Sequence, residues 1–174
     1  MKQLALALCL AVSIAATATV AASAKAPKLT KAELTWVSPL LKVWTLQNAA
    51  LQLVGKTAAA KNALYLNTAN NKKLAVVVGT LLSCKKPKDA IVAAGKAPTA
   101  RMRTFGSALN SACLHNEAGA AAFSKAMISY TSGKAKQTSQ FLTAGIAQFR
   151  LATTQLQKAY TAITTAGGPK VFTA

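Results

Sequence analysis

Between Ala135 and Ala166 the side chains Leu142, Ile146, Phe149, Thr153, Leu156, Tyr160 and Ile163 recur at alternating spacings of 4 and 3. This unbroken a/d heptad pattern puts all seven on one stripe of a single long helix. At 1.5 Å per residue that helix would be ~48 Å long. A rod of this kind has to bury its stripe against other helices, and the rest of the chain supplies them.

Upstream, Thr30-Lys31-Ala32-Glu33 has the form of a capping box. The Thr30 hydroxyl accepts from the amide three residues on, and Glu33 reaches back to the Thr30 amide. The helix it opens meets Ser38-Pro39, which either kinks it or restarts it with Ser38 as cap and Pro39 in the first turn. Leu40, Trp44, Gln47, Leu51 and Val54 then keep the 4-3 spacing. Gly55 weakens this pattern without ending it, and the helix is carried on to Leu66. Asn67-Thr68-Ala69-Asn70-Asn71 breaks it, because asparagine competes with the helical backbone for hydrogen bonds and favours turns. A shorter second helix is expected from about Lys72 to Cys84, with Leu74, Val77, Val78, Leu81 and Leu82 as its apolar residues.

Lys85 to Pro98 reads as a connection with a short helical turn at Asp89 to Ala94. Thr99 is the expected cap of a third, long helix. Met102, Phe105, Leu109, Ala112 and Asn116 follow at 3-4-3-4, and Ala120, Phe123, Met127 and Tyr130 resume after Gly119. Ser132-Gly133 ends it, with Gly133 suited to a left-handed C-terminal position. Gly167-Gly168-Pro169 stops the last helix. Two long helices joined by so short a connection form an antiparallel hairpin. With the two helices before it, the chain is expected to be an all-α, up-down four-helix bundle ending in an αα-hairpin of two long helices.

The N-terminus has a different character. Met1-Lys2 precedes an apolar run from Leu4 to Ala16, and small residues lead to Ala22-Ser23-Ala24. One basic residue, a short apolar core and an A-x-A exit describe a secretory signal peptide over residues 1–24. The apolar core is too short for a membrane anchor. The remaining 25–174 then form one helical-bundle domain, secreted or held in the periplasm or cell envelope. Removing Lys2 from the 21 Lys and Arg leaves 20 against Glu33, Asp89 and Glu117, a formal charge of +17. Beyond the leader no apolar run approaches a membrane span; the longest, Leu74 to Leu82, is bracketed by Lys72-Lys73 and Lys85-Lys86.

Two cysteines lie outside the leader, Cys84 and Cys113. In an oxidising compartment an even pair predicts a disulfide. It would close a loop of about 30 residues and constrain the unfolded chain by roughly 3–4 kcal/mol in the entropic account. The chain has no C-x-x-C, so neither a redox dithiol nor a zinc site is indicated.

Catalytic chemistry finds little to work with. Glycosidases need two carboxylates flanking one bond, and only three acids exist, one of them assigned to a cap. Hydrolytic metal centres need clustered His, Asp and Glu ligands, so neither a metal nor another cofactor is expected. His115 is the single candidate base. Glu117 and Cys113 each lie two residues from it and so point to other sides of the helix. The glycines form no phosphate-cradling loop. A non-enzymatic protein is therefore expected.

Charge is the remaining functional signal. Lys72, Lys73, Lys85, Lys86 and Lys88 crowd the middle of the chain, with Lys96, Arg101 and Arg103 just beyond. Clustered lysines attract polyanions and release them as salt rises. Lysine dominates arginine and no aromatic residues interleave the cluster, so sequence-specific nucleic-acid readout is not indicated. The expected partners are anionic cell-envelope polymers or a membrane surface. The alternative is a small-molecule or protein-partner site between helices near Trp36, Trp44 and Tyr160. Gln47 and Thr153 interrupt two apolar stripes, and their pairing across the core would fix helix register.

Overall fold

The structure is a computed structural model, and the residues it describes are 28–59, 76, 78–82, 89, 91 and 94–164. They are overwhelmingly helical, and no strand occurs among them. Three long helices dominate: α1 (Lys31–Ala59), α2 (Ala100–Thr131) and α3 (Ala135–Thr164). Residues 78–82 are also helical, with Val78 and Leu81 buried in the common core. The leader over 1–24, the asparagine-rich break, Cys84, the lysines Lys72, Lys73, Lys85, Lys86 and Lys88, and the Gly167-Gly168-Pro169 stop lie outside the described residues.

α1 runs unbroken through Pro39, so the proline neither restarts nor ends the helix. Its ring removes one amide donor and leaves the Thr35 carbonyl without an intrahelical partner. Thr35 and Pro39 are both exposed, so that carbonyl is on the solvent side of the helix and not in the core.

α2 and α3 form the expected hairpin. α2 ends in a Schellman arrangement. The Gly133 amide donates to the Tyr130 carbonyl at 3.0 Å and the Lys134 amide to the Ser129 carbonyl at 2.9 Å. Gly133 holds φ at +70°, a conformation that costs a side chain of L configuration about 1–2 kcal/mol. α3 begins one residue later, at Ala135, which makes the two helices antiparallel neighbours.

The seam between them is built from large residues set against small ones. On α3 the buried positions Leu142, Phe149, Leu156 and Ile163 recur every heptad, and so do Thr138, Gly145, Ala152 and Ala159. On α2, Met102, Leu109, Asn116 and Phe123 alternate with Phe105, Ala112, Gly119 and Ala126. A Cβ on Gly119 would meet the Phe149 ring at 2.5 Å, and one on Gly145 would meet the Phe123 ring at 2.5 Å. Each phenylalanine thus fills the space over the other helix's glycine, and the two rings lie 5.2 Å apart, tilted by 52°. Lys134, in the turn, is equidistant in sequence from Gly119 and Phe149, and equally from Phe123 and Gly145. The lock is therefore close to two-fold symmetric about the turn. Carried along the helices, the same register sets Ala112 opposite Leu156, Leu109 opposite Ala159 and Asn116 opposite Ala152. The stripe read from the sequence is displaced from this seam: Thr153 and Tyr160 are only half-buried, and Ala152 and Ala159 take the central positions.

α1 lies along the hairpin in the same direction as α2. Glu33 reaches Thr99 and Arg101, Trp36 lies over Gly106, and Gln47 reaches Asn116. These contacts advance together along both helices. Trp36, Val37, Leu40, Trp44, Ala50 and Leu51 are the core residues α1 contributes.

Candidate functional site

The densest polar constellation sits where α1 and α2 begin. Glu33 is the centre of the capping box expected from the sequence. The Thr30 amide donates to Glu33 Oε2 at 2.8 Å, and the Glu33 amide donates to Thr30 Oγ1 at 3.3 Å. The carboxylate does more than cap its own helix. Thr99 Oγ1 donates to Oε1 at 2.7 Å, Arg101 Nε donates to Oε1 at 2.6 Å, and Arg101 Nη2 closes the fork on Oε2. Thr99 stands at the start of α2 as expected, yet its side chain caps nothing there; it is committed to Glu33. Arg101, grouped by sequence with the free cations, is instead the partner in an ion pair. With the Thr30 hydroxyl also donating to Oε2 at 3.1 Å, five donors converge on a carboxylate that solvent does not reach, and a charged acceptor makes each bond stronger than a neutral one would be.

The Arg101 fork, then the Thr30 amide and the Thr99 hydroxyl, hold the Glu33 carboxyl well below the ordinary carboxylate value of 4.5, against the opposing effect of desolvation. The same carboxylate pushes Arg101 further up. A pKa lowered by folding contributes stability that is complete above the unfolded value and is lost as pH falls toward the folded one. The melting temperature is therefore expected to hold from pH 7 to about pH 5 and to drop progressively below 4.5. Glu33→Gln should remove most of that acid-side slope. Melting curves of the two proteins between pH 2 and 7 provide the check, and parallel acid limbs would contradict it.

A second polar cluster lies deeper. Asn116 Nδ2 donates to Gln47 Oε1 at 2.9 Å, and Gln47 Nε2 donates to the Thr80 carbonyl at 3.1 Å. Gln47 was expected to pair with Thr153, but the Thr153 hydroxyl donates to the Phe149 carbonyl of its own helix at 2.9 Å. A hydroxyl on a helix reaches the carbonyl four residues back more easily than a side chain on another helix. Asn116 Oδ1 is buried with no hydrogen-bond partner.

The aromatic residues are engaged in packing. Trp36 Nε1 donates to the Gly95 carbonyl at 3.1 Å, and Trp44 Nε1 to the Leu156 carbonyl at 3.0 Å. Trp44 stacks on Tyr160 with centroids 5.8 Å apart. The structure thus brings Trp44 and Tyr160 together and sets Trp36 beside Gly106. Neither indole has its N–H to spare for a ligand.

His115 Nδ1 lies 2.8 Å from Gln148 Oε1 on α3, away from both Glu117 and Cys113 in role. Among the described residues no group of three or more His, Cys, Asp or Glu side chains converges on one point. Cys113 is buried and engaged. Its expected partner Cys84 falls outside the described residues, as do Lys72, Lys73, Lys85, Lys86 and Lys88. Every lysine whose side chain is described is exposed, as are Arg103 and Arg150. One of them, Lys125, extends over the Phe141 ring at 6.0 Å. Among the described residues Arg101–Glu33 is the one ion pair. No helix among them is long and apolar enough to cross a membrane. No family model, curated protein or solved structure matches the chain.

Proposed function

We propose that this is an exported, cationic, non-enzymatic helical-bundle protein that engages anionic polymers of the cell envelope or the membrane surface. The observation that carries the reading is the division of labour among its charges. The most enclosed acid, Glu33, is used internally with Arg101, while the described lysines stand in solvent without acidic partners among the described residues. Such a surface attracts polyanions at low salt.

The architecture we propose is the full up-down four-helix bundle. α1 and α2 start at the same end, so the chain between Ala59 and Ala100 has to travel back along α1, a distance of ~43 Å for its 29 residues. The helical residues 78–82, packed through Val78, Leu81 and the Gln47–Thr80 bond, lie on that return path. A Cys84–Cys113 disulfide belongs to the same proposal. Export, the pair of cysteines beyond the leader and the engaged, buried state of Cys113 support it. It would pin the returning segment to α2.

The test is retention on a polyanionic resin across a salt gradient. Reversing Lys72, Lys73, Lys85, Lys86 and Lys88 should move elution to lower salt. The slope of log affinity against log salt should shrink by roughly 0.7–0.9 for each engaged lysine. Unchanged retention would remove those lysines from the reading. The alternative of a ligand site beside Trp36, Trp44 and Tyr160 draws less support, because both indoles are buried and already bonded to backbone carbonyls.

A further inference from the structure

The polyanion reading leaves open where on the molecule the contact is made, and the Glu33 constellation bears on that. It fastens the start of α1 to the start of α2. Four other cations sit within a few residues of it: Lys28 and Lys31 flank Thr30, Lys96 follows the Gly95 that receives the Trp36 indole, and Arg103 lies in the first turn of α2. All four are exposed. None of them touches Glu33, whose oxygens are taken by Arg101, Thr30 and Thr99. Two packed helix ends measure roughly 20 Å across, given a diameter of 10–12 Å each, so the four charges crowd one end of the bundle, with Lys31 and Arg103 on other sides of their helices from Glu33 and Arg101. Asp89, seven residues before Lys96 and also exposed, is the nearest other acid along the chain and leaves the face strongly positive.

We propose that this end of the bundle, with Lys28, Lys31, Lys96 and Arg103 as its cations, is the surface that docks a flexible linear polyanion. The inference rests on the proposed function and gives that function an address. A polymer fits better than a bilayer. Membrane-surface binding needs an apolar face with interfacial aromatics beside the cations. Here Leu34 is the one large apolar side chain exposed near the constellation among the described residues, and Trp36 is buried with its N–H engaged. Lysine-rich contact, without stacking aromatics, reads charge density along a chain and not the identity of its units.

Inorganic polyphosphate is a suitable probe, with binding followed by titration calorimetry at several salt concentrations. Lys28→Gln, Lys31→Gln, Lys96→Gln and Arg103→Gln combined should weaken binding at least tenfold and reduce the salt slope by about 3. A matched variant with Lys125, Lys134, Lys136 and Arg150 changed to Gln carries the same charge loss toward the other end of the hairpin and should weaken binding by less than threefold. Because none of the altered side chains holds an ion pair among the described residues, both variants should keep the helical circular dichroism of the parent. A Lys28→Gln/Lys31→Gln variant, which leaves α2 untouched, gives a second reading with about half the effect. Equal weakening by both quartets would overturn the address while leaving the charge-based function standing. Absence of polyphosphate binding by the unaltered protein would overturn both. Binding to phosphatidylglycerol vesicles that is tighter than to polyphosphate, and lost with the first quartet, would overturn the choice of a polymer.

Discussion

Gly145→Val is expected to destabilise the protein by about 2–3 kcal/mol, read as a fall in the denaturant midpoint with an unchanged slope. A Cβ at this position meets the Phe123 ring at 2.5 and 2.8 Å and the Gly119 carbonyl at 3.1 Å. A ring edge and a backbone oxygen cannot both retreat while the opposite half of the lock, Phe149 over Gly119, stays in place. The gain from replacing a helical glycine, at most about 1 kcal/mol for alanine and less for valine, is too small to offset the overlap. Phe123→Ala alone should cost about 3–5 kcal/mol by opening a cavity. The double substitution should cost well under the sum, because the valine enters the space the ring has left. Additive losses in that cycle would show that Phe123 and Gly145 do not share a packing site.

Gln47→Leu should have a comparable effect through different physics. It removes the acceptor of the Asn116 amide and the donor to the Thr80 carbonyl. The Asn116 amide, buried and left without its acceptor, costs about 1–3 kcal/mol, and a loss of that size is expected. Asn116 is fully enclosed and its Oδ1 is already unpartnered, so it has no water-facing alternative. Asn116→Leu placed on the Gln47→Leu background should recover part of the loss, since two apolar side chains then fill a space that held a half-satisfied pair. Chemical denaturation of the four proteins checks this. The idea fails if the double variant is less stable than either single one.

These two sites also show where the sequence speaks and where it falls silent. The heptad run in α3 was legible because Leu142, Phe149, Leu156 and Ile163 are large and evenly spaced. Ile146 is buried as its spacing predicts, but at Thr153 and Tyr160 the neighbouring Ala152 and Ala159 hold the central positions, with Gly145 beside Ile146. Hydropathy rewards bulk, but two helices that approach closely need small side chains at the crossing. Nothing local marks a glycine as the receptor for a ring on another helix. The Thr30–Glu33 box and the Gly133 terminus were legible because their hydrogen bonds close within a few residues. Glu33's bonds to Thr99 and Arg101 span separations of 66 and 68 residues, beyond any local pattern. Gln47 stands out as a polar residue in an apolar stripe, but its partner Asn116 is 69 residues away on the stripe of the third expected helix, and nothing local distinguishes it from Thr153. Lys72, Lys73, Lys85, Lys86 and Lys88 fall outside the described residues, and the basic end proposed above combines Lys96 and Arg103, which the sequence sets just beyond that cluster, with Lys28 and Lys31.

Both tryptophans of the chain lie on α1, while α2 and α3 meet through a three-residue connection. The three residues Ser132, Gly133 and Lys134 between the two helices make hairpin pairing local, whereas the tryptophan anchors span separations of 59 and 112 residues. Closing the longer loops costs more chain entropy, and proximity along the chain favours early assembly. Indole fluorescence accordingly watches α1 arrive at its berth, and it is blind to whether the hairpin beneath has already formed.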